Sequence, residues 1–221
     1  MLLNHELMKK SALLFFVLFS AWHAAAQYGY GDSNRIGINA GINMFALQTN
    51  NFDVKPETGW NIGLSMRGNY YNNFDMVFGL QFSENRYSVE TYNLIGSKEN
   101  VKYKIDSAQL SLLLSYKVVP DHLSFEIGPM FQLNGKAVVD NEQEEDNIVA
   151  GQLYTAKDIT DINNFSFYPT IGVTAGVKRL RASVVYQYGV SNVLNNLNDG
   201  AFGDGFKGHA SIVIGNVIFY F

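Results

Sequence analysis

The chain has 221 residues, 47% of them hydrophobic, yet its mean hydropathy is only -0.04. Charged residues make up 16%, below the roughly 25% of ordinary soluble domains, while aromatic residues reach 14%. With a net charge of -4 and its basic residues thinly spread, the composition argues against a nucleic-acid partner, and the absence of cysteine excludes disulfides, thiolate metal sites and cysteine lipidation.

At the start of the chain, Lys9 and Lys10 precede an apolar stretch from Ala12 to Trp22, and Ala24-Ala25-Ala26 place small residues before Gln27. A positive start, a short apolar core and an A-x-A site read as a secretory signal peptide. The expected organisation is a signal peptide over 1–26 and one mature domain over 27–221. An anchoring helix needs about 20 apolar residues; the leader holds about half that run, and no later stretch is long enough.

The mature chain alternates with a period of two, the mark of a strand with one apolar face. In 35–46, Ile36, Ile38, Ala40, Ile42, Met44 and Ala46 share one parity, opposite Arg35, Gly37, Asn39, Gly41 and Asn43. Segment 60–70 sets Trp60, Ile62, Leu64, Met66 and Tyr70 against Asn61, Gly63, Ser65, Arg67 and Asn69. Segment 74–85 sets Phe74, Met76, Phe78, Leu80 and Phe82 against Asp75, Val77, Gly79, Gln81 and Ser83. The same pattern runs through 108–118, with Leu113 as the exception, and through 123–134, 166–178 and 181–190. In 208–221 both parities are apolar, so its faces stay open.

Eight such strands suit a bilayer, since a tilted transmembrane strand takes about 9–11 residues. The connections add to this. Those at 71–73, 119–122 and 179–180 are short, whereas 47–59, 86–105, 135–165 and 191–207 are long and polar. Short turns at one end and long loops at the other are typical of an outer-membrane barrel. Trp60, Tyr70, Tyr71, Phe74, Tyr116, Phe125, Phe167, Tyr168 and Tyr188 fall near strand ends, where aromatic girdles belong. The terminal Phe219-Tyr220-Phe221 is similar to the aromatic signal that barrel-assembly machinery reads. The expected fold is therefore an all-β, eight-stranded antiparallel up-and-down transmembrane β-barrel. The alternative is a secreted soluble calycin-like barrel with inverted faces that binds a small apolar ligand. A polar parity of Gly, Ser, Asn and Gln, in place of a charged coat, favours lipid on the apolar side.

An eight-stranded lumen is just wide enough to be filled by side chains, which argues against a diffusion channel. Its expected charges are Arg35, Arg67, Asp75, Lys117 and Glu126. Burial of unpaired charge is costly, so Arg67 is expected to pair with Asp75, and Lys117 with Glu126, each across a short turn. Strand glycines are expected to relieve the narrow lumen or to let strands bend.

Chemistry is sparse. Neither a phosphate-binding loop nor a dinucleotide fingerprint occurs, and two isolated histidines, His122 and His209, do not make a metal site. His209, Asp204 and Ser191 could meet at the loop rim, although ordinary loop roles account for them. The acidic run Asp140, Glu142, Glu144, Glu145 and Asp146 lacks the spacing of a calcium loop and reads better as a solvated tip. In the last loop, Leu197, Phe202 and Phe206 are apolar residues that either fold over the barrel mouth or meet a partner. No catalytic residues, cofactor or metal ligands are expected.

The segments Gly37–Met44 (GINAGINM), Gly59–Leu64 (GWNIGL), Phe78–Ser83 (FGLQFS) and Phe125–Pro129 (FEIGP), with the terminal FYF, resemble the PorT-like outer-membrane β-barrel family over essentially the whole mature chain. The resemblance implies an integral outer-membrane protein, and some members of the family belong to type IX secretion and gliding machinery. The expected partners are outer-membrane lipid, the assembly machinery and an envelope protein. The expected role is non-enzymatic, with the surface loops binding a partner.

Overall fold

The computed structural model describes residues 34–199 and 205–221. The expected signal peptide and the 26/27 boundary lie outside them. Among the described residues ten strands form in chain order: β1 (Arg35–Thr49), β2 (Val54–Tyr71), β3 (Phe74–Tyr92), β4 (Lys98–Val119), β5 (Leu123–Asn134), β6 (Val138–Val139), β7 (Ile148–Val149), β8 (Phe165–Gly176), β9 (Leu180–Tyr188) and β10 (Gly208–Tyr220). Eight of them close into an antiparallel ring, β1-β2-β3-β4-β5-β8-β9-β10, with β10 paired back to β1 from Gly37↔Tyr220 to Thr49↔Gly208. Closure leaves no free sheet edge in the ring, the condition for strands to cross lipid.

The short turns follow β2, β4 and β8. Asn72 (φ 47) and Asp121 (φ 62) adopt the left-handed conformation that tight turns need, at the residue types that tolerate it best. Within the ring Gly41 is forced: a Cβ there would lie 2.0 Å from the carbonyl oxygen of Gly215. Gly215 departs from the lumen expectation, since it faces outward with nothing within 4 Å.

Two of the four loops expected to be long are mostly strand. β1 and β2 continue past the predicted ends and leave only residues 50–53 between them, and β3 and β4 pair as far as Tyr92↔Lys98, leaving 93–97. The cause is a switch of polarity on both faces at one height. On β3, Phe74, Met76, Phe78, Leu80 and Phe82 point outward, followed by Glu84, Arg86 and Glu90; inward, Asp75, Gln81, Ser83 and Asn85 give way to Tyr87 and Val89. On β4, outward Leu110, Leu112, Leu114 and Tyr116 give way to Asp106, Lys104, Lys102 and Asn100, while inward Ser107 and Gln109 give way to Ile105, Tyr103 and Val101. Below the switch the barrel is apolar outside and polar inside. Above it, the arrangement is that of a water-soluble barrel.

This switch disposes of the soluble-barrel reading for the lower half. There, Ile42, Trp60, Phe82, Leu112, Phe125, Ile127, Ile171, Val184 and Val217 are all exposed, a continuous apolar band far beyond what a soluble surface carries. The last strand's faces resolve with it: Val213, Val217 and Phe219 point out, and Ile212, Ile214, Ile218 and Tyr220 point in. Tyr168 corrects the girdle assignment, because it is fully buried and faces inward.

Depth should be readable by mutation. Arginine in mid-band on the lipid face costs about 2–4 kcal/mol, falling toward zero at the interfaces. Leu112→Arg should therefore lower barrel stability by that amount, whereas Asp106→Arg, on the same face of the same strand above the switch, should leave it unchanged. Urea unfolding of refolded barrels checks both.

Candidate functional site: the ionic lumen and its loop cap

Polar side chains bridge the lumen strand to strand. Gln109 Nε2 donates to Gln132 Oε1 (2.8 Å), Ser107 Oγ donates to Asn134 Oδ1 (3.0 Å), and Asn85 Nδ2 donates to Ser107 Oγ (3.2 Å). Val77, Leu113, Val185 and Ile218 add buried apolar side chains, so the sequence exception Leu113 is an inward filler. A cavity of about 60 Å³ remains among Asn39, Ser65, Gln81, Gln109, Gln187 and Asn216. That volume suits a few waters rather than a pore.

Charges collect toward the short-turn end. Arg67, on β2, reaches both neighbouring and distant strands: its Nη1 bonds Ser115 Oγ (2.8 Å) and Asp75 Oδ2 (3.3 Å), and its Nη2 bonds Glu126 Oε1 on β5. Lys117 pairs with Asp75 (3.0 Å) and with the Asn69 amide oxygen (3.0 Å). The expected Arg67–Asp75 contact is thus present, whereas Lys117 and Glu126 are not paired with each other. Across the turn Lys117 stands opposite Ser124, and Glu126 opposite Ser115, so each finds its counter-ion on another strand. Arg35 sits at the mouth and bonds Asp121 Oδ1 (2.8 Å) and the Lys178 carbonyl (3.0 Å). Two inward residues were missed at the sequence level, Arg181 and Tyr220. Arg181 lay in the polar parity of its segment and could have been found there, while Tyr220, which bonds Ser65 Oγ at 3.0 Å, lay in the ambiguous last strand.

The Arg35 guanidinium, hydrogen-bonded to Asp121, holds that turn carboxyl below the usual carboxylate range. A depressed folded pKa adds stability above the unfolded value and loses it as pH falls through the folded one. The pair is exposed enough to limit it to about 0–1 kcal/mol. Asp121→Asn, which keeps the left-handed turn, should cost no more than that at pH 7 and should flatten the decline of stability below about pH 4. Unfolding midpoints at pH 7 and pH 3 give the comparison.

At the opposite end the long loops form a packed cap. The loop after β5 straddles the β3–β4 hairpin, with β6 pairing to Tyr103 and Lys104 and β7 to Thr91 and Tyr92. Its Val139, Val149, Tyr154, Ala156, Ile159 and Ile162 are buried with Tyr87, Val89, Val101 and Tyr103. The loop after β9 contributes Val193, Leu194, Leu197 and Phe206 to the same core, and Phe206 packs on Tyr154 with ring centroids 5.5 Å apart. Asn51, in the first connection, ties the loops together: its carbonyl accepts from Gln152 (2.7 Å), its side-chain amide donates to the Gly205 carbonyl (3.1 Å), and its Oδ1 accepts from Lys207 N (3.0 Å).

The loop candidates therefore divide. Phe206 is core, and Phe202 lies outside the described residues. In the acidic run, Glu144 accepts from Asn141 (2.9 Å), Glu145 pairs with Lys157 (2.7 Å), and Asp140 lies 4.0 Å from Arg86. With Glu142 and Asp146 included, these carboxylates do not converge, and no set of three metal-binding side chains occurs among the described residues. The rim group does not assemble either. His209 Nδ1 lies 3.1 Å from the Gly189 carbonyl, and Ser191 Oγ accepts from Phe167 N (3.0 Å); Asp204 lies outside the described residues.

A closed eight-stranded ring with a lipid-facing band, polar lumen, short turns at one end and capped loops at the other defines an integral outer-membrane β-barrel. A family model confirms the class: the chain belongs to the outer membrane protein beta-barrel domain family, matched over residues 25–195. No curated protein matches the sequence. Among solved structures, the chain is similar to Neisserial surface protein A (NspA), at TM-score 0.51 and 12% identity, over 84% of this chain and 97% of that one. It also matches Ail, the attachment invasion locus protein of Yersinia pestis, at TM-score 0.45 and 8% identity over 85% and 99% of the two chains. LpxR from Salmonella typhimurium matches at TM-score 0.31 and 10% identity over 88% and 86%. At these identities, the likeness to NspA bears on the fold alone.

Proposed function

We propose that this barrel is a non-enzymatic outer-membrane protein whose loop cap is a docking platform for another envelope component. The observation that carries the reading is the cap itself: three of the four connections share one apolar core with the upper β3–β4 hairpin, so its outer surface is held in a fixed shape. That surface presents Leu94 and Ile95 at the β3–β4 hairpin tip and Leu153 in the neighbouring loop, each at least 87% exposed. A rigid scaffold with apolar tips lowers the ordering cost of binding. The filled lumen speaks against a passive channel. The resemblance to PorT-like barrels supports a partner within a secretion or gliding assembly, and the outward Phe219 and Phe221 suit recognition by barrel-assembly machinery.

Photo-crosslinking in intact envelopes tests the platform, with a reactive residue placed at position 95 and, as a lipid-facing control, at position 42. A discrete protein adduct at 95, absent at 42 and lost on Leu94→Asp, is expected. Equal labelling at both positions, or none at 95, would sink the reading.

A further inference from the structure

Among the described residues, the ion pairs of the short-turn end leave one cation over. Facing the lower lumen and its mouth are Arg35, Arg67, Lys117 and Arg181 against Asp75, Asp121 and Glu126. Asp121 bonds Arg35 (2.8 Å), Asp75 bonds both Arg67 (3.3 Å) and Lys117 (3.0 Å), and Glu126 bonds Arg67. Arg181 contacts none of the three. It is only 3% exposed, and its Nε and Nη2 are buried with no hydrogen-bond partner among the described residues. A buried ion without a partner is strongly disfavoured, and a guanidinium directs five donors in a plane that matches an oxyanion.

The surroundings increase the imbalance. Arg181 is within electrostatic reach of Arg67 and Arg35, and of Tyr220 and the Glu126 carboxylate, which Arg67 already engages, so the two guanidiniums raise the positive potential around it. Lys178 and Arg179 belong to the turn just before it. Walls of low dielectric focus such a field and concentrate counter-ions. Water can hydrate the orphan donors, but only an anion also cancels the excess charge.

We propose that the short-turn mouth of the lumen, the end that faces the periplasm in outer-membrane barrels, is an oxyanion site, in which Arg181 takes one phosphate or carboxylate group. This site is independent of the loop cap at the far end. Its ligand group reaches it either from a soluble periplasmic anion or from the headgroup of an inner-leaflet lipid; the chemistry of recognition is the same.

Inorganic phosphate is the probe. Refolded barrel in zwitterionic detergent is unfolded by heat in phosphate and in chloride at equal ionic strength, and followed by gel migration. Phosphate should raise the wild-type midpoint in a saturable way. Arg181→Met should abolish that response, with phosphate affinity weakened at least about tenfold, and in chloride it should be no less stable than wild type, since the orphan charge is gone. Calorimetric titration of phosphate into the wild-type barrel gives a reading that does not depend on the variant folding. Repeating the unfolding in phosphatidylcholine vesicles with and without phosphatidylglycerol separates the sources. Stabilisation by the anionic lipid that Arg181→Met removes marks a headgroup, and stabilisation by phosphate alone marks a soluble anion. No saturable binding, equal midpoints in phosphate and chloride, or the same response in wild type and Arg181→Met would overturn the site.

Discussion

Arg67→Met should destabilise the folded barrel by about 3–5 kcal/mol, the cost of removing one member of a buried ionic cluster, read as an earlier midpoint in urea. The partners do not lose equally. Asp75 keeps Lys117 at 3.0 Å, so it remains compensated. Among the described residues Glu126 keeps only the Ser115 hydroxyl, 3.4 Å away, and becomes a carboxylate enclosed with no cation in hydrogen-bond contact. The penalty thus resides mainly in Glu126, and adding Glu126→Gln to Arg67→Met should return a large part of the lost stability, although neither change restores a contact. Glu126→Gln alone should cost less than Arg67→Met, because Arg67 retains Asp75 and Ser115. A double variant no more stable than Arg67→Met would mean that the arginine works by packing rather than by charge.

That cluster also shows what a sequence read strand by strand can reach. Alternation located all eight ring strands, because lipid and lumen impose opposite polarity on successive side chains, and it placed Arg35, Arg67, Asp75, Lys117 and Glu126 on the inward parity. It could not assign partners. Arg67 spans from β2 to Glu126 on β5, strands that are not neighbours in the ring, whereas a hairpin-by-hairpin reading considers only side chains flanking one turn. The upper strands were hidden for a related reason. From Phe82 to Tyr87 the apolar parity of β3 passes from even to odd positions, so a search that follows one parity reports the end of a strand where the membrane ends. The period continues unbroken to Tyr92 and only its phase flips. The cap was less legible still, since Val139, Val149, Ile159 and Ile162 are scattered through a polar loop with no period, and only tertiary contact makes them a core.

The cap and the membrane barrel should be separable by one substitution in that core. Tyr103 is inward on β4 above the switch, stacked on Tyr87 with ring centroids 5.0 Å apart and an interplanar angle of 6°, and its hydroxyl donates to the Ala156 carbonyl at 2.9 Å. Tyr103→Ala removes a buried aromatic side chain, the stacking partner of Tyr87 and the anchor of the 135–164 loop, a loss of about 3–5 kcal/mol for large-to-small core changes. That energy is local to the region above the lipid band, where the loop is held to the barrel by this core and by the two-residue strands β6 and β7. The expected result is therefore partial. Protease should cut between 140 and 160 in Tyr103→Ala but not in the wild type, while the heat-modifiable gel shift of the lipid-embedded ring persists. Tyr103→Phe, which keeps the stack and gives up one hydrogen bond, should cost about 1 kcal/mol and leave the loop resistant. If Tyr103→Ala instead abolished the gel shift, cap and ring would fold as one cooperative unit, and the polarity switch between Phe82 and Tyr87 would mark a change of solvent without a boundary in stability.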